Sequence, residues 1–143
     1  MGAGGPLAHV PASLATATVT LLAVLFYFYT AFRVGNLRGA LGIKAPATSG
    51  HPTFERAYRV QLNTLEQLGI FLPLLWLTAL YPIRLAWLAP LIGLLWVLAR
   101  VLYARAYMKD PEKRLLGAMC GGLTSLALLL LAIAGLARAW RLA

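Results

Sequence analysis

Four apolar stretches run through this chain, from about Ala12 to Phe32, Tyr58 to Leu80, Leu85 to Tyr107 and Leu115 to Ala137. Each has roughly the 20 residues that a helix needs to cross a hydrocarbon core of about 30 Å. Inside such a core every backbone N–H and C=O must be satisfied within its own segment, so stretches of this length become helices. Four of them in 143 residues predict an all-α fold: an integral membrane four-helix bundle with up-down topology, one domain over 1–143. The composition agrees, since 61% of residues are hydrophobic and only 12% are charged, about half the charged share of a soluble domain. Pro73 and Pro90 fall inside the second and third stretches, where neighbouring helices can satisfy the carbonyls a proline frees.

The charge balance bears on orientation. Thirteen Lys and Arg stand against four Asp and Glu, for a net charge of +9. The first connector carries Arg33, Arg38, Lys44 and Arg56, the third carries Arg105, Lys109, Lys113 and Arg114, and the middle one holds only Arg84. Positive-inside bias therefore predicts that the first and third connectors face the cytoplasm, with Arg138 and Arg141 opposing weakly. No basic residue precedes the first apolar run, so it is expected to stay as a membrane helix and not to be cleaved as a leader. The opening MGAGGP also lacks the sixth-position Ser or Thr of a myristoylation signal. No Lys/Arg block stands apart from an apolar segment, which argues against nucleic acid as a partner. Cys120 is the sole cysteine, and His9 and His51 are isolated. No internal disulfide and no metal-ligand set is expected.

The second stretch opens on FERAYRVQLNTLE, residues 54–66, which is too polar for a plain spanning helix. At about 100° per residue Arg59, Asn63 and Glu66 fall within roughly 60° of arc, and Glu66 lies about 10 Å along the axis from Arg59. Arginine stems can snorkel to the headgroups; glutamate and asparagine stems are too short. A carboxylate left unpaired in lipid costs several kcal/mol, so Glu66 should face protein or a wet cavity. The third stretch carries RVLYARAY, residues 100–107, with Arg100, Tyr103 and Tyr107 at i, i+3 and i+7 on one face. Up-down topology brings these two faces to the same membrane end, with Arg38 and Arg114 nearby. So many cations around one buried anion suit a small polar ligand with several carboxylates and one amine. Guanidinium groups clamp carboxylates in a two-pronged grip, and tyrosines add hydroxyl donors. Taken singly, each residue also suits a duller role, such as an aromatic belt or a basic flank.

The FER-x-x-R-x-Q-x-N-x-x-E pattern, followed by ARVLYARAY and then an arginine seven residues on, resembles the MAPEG family. These are membrane-associated proteins in eicosanoid and glutathione metabolism, and the likeness is to the branch of microsomal glutathione transferases and leukotriene C4 synthase. It covers about residues 15–137. The resemblance implies a homotrimer of four-helix subunits, glutathione as co-substrate between subunits on the cytoplasmic side, and a hydrophobic electrophile or lipid substrate arriving from the bilayer. Matching positions imply that Arg38, Arg59, Gln61, Asn63, Glu66, Tyr103 and Tyr107 hold the tripeptide and that Arg114 is catalytic, stabilising its thiolate. Gln61 lies off the Arg59–Glu66 face, which fits only if a subunit interface wraps the helix. Two positions depart from the pattern: Gln67 stands where some relatives carry tyrosine, and Gly39 where the leukotriene-type enzymes carry a second arginine. The second departure favours a general transferase over leukotriene synthesis.

The chemistry expected is conjugation of glutathione to lipophilic electrophiles, with glutathione-dependent peroxidase activity as a companion. A thiol of ordinary pKa near 8.5 is mostly protonated at neutral pH, and the thiolate is the nucleophile. A guanidinium in a site of low dielectric favours the anion. Two readings compete: a non-catalytic lipid-presenting protein of the same fold, and a transporter or channel subunit built around a buried Glu66–Arg59 pair. The first leaves the polar set without a purpose, and the second leaves the tyrosine–arginine cluster unexplained.

Overall fold

The structure, a computed structural model, describes residues 11–143. The readings made on MGAGGP and His9 lie outside them. Four helices follow one another: α1 (Ala12–Ala40), α2 (Pro52–Leu80), α3 (Leu88–Lys109) and α4 (Leu115–Leu142). A single 3-10 turn, Pro111–Arg114, joins α3 to α4, and no strand forms among the described residues. The most extensive packing lies between α3 and α4 and between α1 and α2. By length and composition α1, α3 and the Pro111–Leu142 segment are apolar enough to cross a membrane.

The helices outrun the apolar stretches that announce them. α1 continues eight residues past Phe32 and takes Arg33 and Arg38 onto its last turns, while α2 begins six residues before Tyr58 and makes FERAYR helical. Hydropathy marks where lipid ends; hydrogen bonding lets a helix run on into water. At 1.5 Å per residue the 29 residues of α1 reach about 44 Å, well beyond a core of about 30 Å. α3 starts at Leu88, later than the predicted Leu85. Pro90 therefore falls in the first turn, where its missing N–H has no helical partner to lose. α4 extends through Arg138 and Arg141.

Local chemistry fixes the helix ends near the polar residues. α1 stops in a Schellman motif: Ile43 N–H donates to the Arg38 carbonyl at 3.0 Å and Gly42 N–H to that of Gly39 at 3.3 Å. Gly42 sits at φ 65°, a backbone conformation that a residue with a Cβ adopts only at a cost. α2 is capped by His51, whose Nδ1 accepts from Thr53 N–H at 3.2 Å. Pro52 follows at the first helical position, pre-set for helical φ.

α2 buries Phe54, Ala57, Val60, Thr64, Leu68, Phe71, Leu75 and Thr78 at the three- and four-residue steps of a bundle seam. Thr64 and Thr78 are the hydroxyls in that otherwise apolar seam. Phe71 and Trp96 stack with ring centroids 3.9 Å apart and planes 4° apart, among Val19, Leu75 and Leu128.

Candidate functional site

The sequence-predicted residues gather where the start of α2 meets the end of α3. Arg56 joins the two elements: its Nη1 donates to the Met108 and Lys109 carbonyls, both at 3.3 Å. These are the unpaired acceptors at the end of α3, and a cation there also suits the helix dipole. An open cleft of about 450 Å³ forms beside this junction, lined by Arg56, Tyr58, Arg59, Leu62, Tyr107 and Pro111 among others.

Arg114 is outside the cleft lining but contacts two of its residues, Tyr107 and Pro111, because of the turn before it. Asp110 ends α3 and caps the turn, accepting from Glu112 N–H at 3.1 Å. Arg114 then folds back, with Nη1 donating to the Pro111 carbonyl at 3.2 Å and Cζ lying 5.6 Å from the Tyr107 ring centroid. Its guanidinium is exposed, attracted to the ring face and free to meet an anion from the cleft side.

A continuous line of contacts leads inward from there. The Tyr107 and Tyr103 rings lie 5.6 Å apart at 39°. Tyr103 is buried, and its hydroxyl accepts from Asn63 Nδ2. Arg100 Cζ stands 4.2 Å from the Tyr103 ring centroid, while its Nη2 donates to Thr64 Oγ1 at 3.0 Å. The Thr64 hydroxyl donates onward to the Val60 carbonyl at 2.7 Å. Only 3% of Arg100 is exposed, and no carboxylate pairs with it among the described residues. Its Nε, Trp96 Nε1 and Ser125 Oγ are buried without a hydrogen-bond partner. α4 presses against this line from the far side. A Cβ on Gly117 would lie 2.6 Å from the Cα and backbone N of Tyr103, so any side chain there would push α3 and α4 apart and move the tyrosine.

Of the eight predicted residues only Arg59 and Tyr107 line the cleft; Asn63 and Tyr103 lie on the buried line behind it, Arg114 beside it, and Arg38, Gln61 and Glu66 stand away from it within one chain. Arg38 braces the α1–α2 connector, with Nη1 donating to the Ala47 carbonyl at 2.9 Å and its guanidinium 4.8 Å from the Phe54 ring. Gln61 is half-buried and outside the cleft lining. Glu66 is exposed and forms no ion pair among the described residues. The buried Glu66–Arg59 pair of the transporter reading is therefore absent from a single chain's described residues: both side chains are exposed and unpaired with each other.

Sequence reasoning assigns nothing to Thr64, yet it is the hydrogen-bond acceptor for the buried cation. The available signal was its place between Val60 and Leu68 on the four-residue seam of α2, where a hydroxyl interrupts an apolar stripe. Arg56, counted in the sequence among the first connector's basic residues, ties α2 to α3.

A MAPEG family model matches residues 16–136, and the chain belongs to that family. An uncharacterized protein of Synechocystis is 46% identical over 112 residues, covering 78% of this chain and 80% of that protein. Leukotriene C4 synthase of Bos taurus is 38% identical over 99 residues, covering 69% of this chain and 65% of that enzyme's length. Microsomal glutathione S-transferase 2 of Mus musculus is 38% identical over 101 residues, covering 71% and 67% respectively. Family membership and three span-capable helices fit an integral membrane protein.

Proposed function

We propose that the protein is a membrane-bound glutathione transferase that conjugates the glutathione thiolate to lipophilic electrophiles, with glutathione-dependent peroxidase activity beside it. The observation that carries this reading is the placing of Arg114 against Tyr107, at the rim of the cleft that Arg59 and Tyr107 line. Glutathione brings two carboxylates, an ammonium and a thiol. Arg59 offers a carboxylate clamp, Asn63 and the two tyrosines offer polar contacts, and Arg114 is the free cation for the sulfur. A depression of the thiol pKa by one to two units requires about 1.4–2.7 kcal/mol, within reach of one well-placed guanidinium. No proton-accepting base is required, because the thiol loses its proton to solvent and the arginine holds the anion.

A homotrimer completes the site in this reading, with glutathione between subunits. What supports a subunit boundary on α2 is Glu66, an exposed carboxylate part-way along the helix that forms no ion pair among the described residues; lipid exposure there would cost several kcal/mol. Across such a boundary Glu66 would meet the ligand's ammonium, and Gln61 and Arg38 would approach from the neighbouring copy. The positive-inside pattern supports a cytoplasmic location for this end, with the first and third connectors.

The test is isothermal titration of glutathione into the detergent-solubilised protein, followed by conjugation of an aryl halide such as 1-chloro-2,4-dinitrobenzene. Saturable binding with turnover is expected. Absent glutathione binding together with a lipid-induced rise in melting temperature would replace this reading with the lipid-presenting one.

A further inference from the structure

A second cleft lies on a different flank of the same membrane end, between α1 and α3. It is about 780 Å³, open, and shares no lining residue with the Arg59–Tyr107 cleft. Four cations from three elements line it: Arg33 of α1, Arg105 and Lys109 of α3, and Lys113 of the 3-10 turn. Among the described residues only Lys113 has a carboxylate partner, Asp110 at 3.7 Å. With 13 Lys and Arg against four Asp and Glu, the chain has little acid of its own to spare for the rest.

The surface running from this cleft towards the apolar end says what kind of anion fits. Leu98, Leu102, Arg105 and Lys109 occupy one face of α3, at steps of four, three and four. Leu98 and Leu102 are each 52% exposed. On α1 the exposed Leu22, Leu25 and Tyr29 lead up to Arg33 at steps of three, four and four. A charged head at the end of an apolar track is the profile of an amphiphile, and a free water-soluble anion would leave the track unused.

We propose that this cleft binds an acidic phospholipid, its phosphate held by Arg33, Arg105 and Lys109 and its acyl chains lying along the exposed α1 and α3 side chains. Basic recesses between membrane helices hold such headgroups, at roughly a fivefold gain in affinity per well-placed cation. The bound lipid would bridge α1 to α3. This binding stands apart from the catalytic proposal, because none of the three cations has been placed in the glutathione site.

The full chain in detergent micelles tests it, with dioleoylphosphatidylglycerol as probe, dioleoylphosphatidylcholine as the neutral comparison and sn-glycerol 3-phosphate as the free-anion comparison. Native mass spectrometry should retain phosphatidylglycerol adducts selectively, and melting temperature should rise with that lipid alone. The Arg33→Gln/Arg105→Gln/Lys109→Gln variant should weaken the affinity on the order of 100-fold, with glutathione titration unchanged. A Lys44→Gln/Arg84→Gln/Arg141→Gln variant, which loses the same charge elsewhere, should bind as the native chain does. If the first triple variant fails to fold, Arg105→Gln alone should cost about fivefold. Equal losses in both triple variants would mean bulk electrostatics and overturn the site. Equal retention of phosphatidylcholine would overturn headgroup recognition, and equal stabilisation by glycerol 3-phosphate would overturn a lipid as the occupant.

Discussion

Two layers of this bundle sit about one to two turns apart on the same pair of helices and are built on opposite principles. In one, Trp96 of α3 stacks flat on Phe71 of α2. In the other, Arg100, one turn further along α3, donates to Thr64, seven residues back along α2. The aromatic layer needs only shape: substituting another large apolar side chain would change packing and little else. The cationic layer needs chemical identity, because a buried guanidinium needs an acceptor at the place and angle where Thr64 supplies one. Stability concentrates in the first layer, and orientation of the proposed glutathione site in the second.

The largest effect should come from breaking the aromatic layer. In a membrane the unfolded reference is also surrounded by hydrocarbon, so the transfer contribution to a core truncation largely vanishes. What stays is the cavity and the lost dispersion. Trp96→Ala should cost on the order of 3 kcal/mol, measured by unfolding in mixed detergent micelles. Glutathione affinity of the fraction that remains folded should stay within about twofold. A large change in affinity would show that the two layers are not separable.

Arg114→Ala inverts that pattern. The residue is exposed, and among the described residues its polar contacts are the Tyr107 ring and the Pro111 carbonyl of its own turn, so melting should barely change. Loss of the thiolate's cation should lower turnover about 100-fold, equivalent to about 2.7 kcal/mol, with glutathione binding within about threefold. The sign of the pH effect follows from the chemistry. A cation lowers the thiol pKa, so its removal should move the rising limb of the pH–rate profile upward, towards about 8.5. Full activity in this variant would remove Arg114 from the mechanism.

Arg100→Met sharpens the contrast inside the polar layer. Replacing a buried ion by an apolar side chain of similar length is often close to neutral for stability, and here it also removes an unpartnered Nε. Stability should move by less than about 1 kcal/mol. Tyr103 would lose the cation on its ring face, and glutathione affinity should fall about tenfold by titration. Equal losses in stability and affinity would make Arg100 a core residue like Trp96.

How much of this was legible in the sequence differs between the two layers. Apolar length announced four helices, and the three- and four-residue spacing of Arg100, Tyr103 and Tyr107 placed them on one face of α3. The contact of Tyr107 with Arg114 follows from that face and the Asp110–Pro111 turn. Helix ends were harder, because hydropathy stops at the lipid boundary while α1 and α2 continue as polar turns. Partners across helices were harder still. Asn63 meeting Tyr103, and Thr64 meeting Arg100, depend on the vertical register between α2 and α3, which is set by packing such as the Phe71–Trp96 stack. Nothing in a single segment encodes that register.

Thr64 gives the smallest and most selective test. Thr64→Val keeps the side chain's shape, so the bundle seam should close as before, and what disappears is one hydroxyl. Arg100 Nη2 would lose its acceptor at a buried position, and the Val60 carbonyl would lose the extra bond it receives from the hydroxyl. Leaving a buried donor unpaired costs about 1–3 kcal/mol, and a guanidinium that can pivot towards another acceptor sits at the lower end, near 1 kcal/mol. That pivot would carry the cation off the Tyr103 ring and weaken glutathione binding two- to fourfold. Thr64→Ser, which restores the hydroxyl without the methyl, should recover the affinity but not all of the stability. Were the serine variant no better than valine at binding glutathione, the link from α2 through Arg100 to Tyr103 would be packing alone, and the polar layer would differ from the aromatic one only in composition.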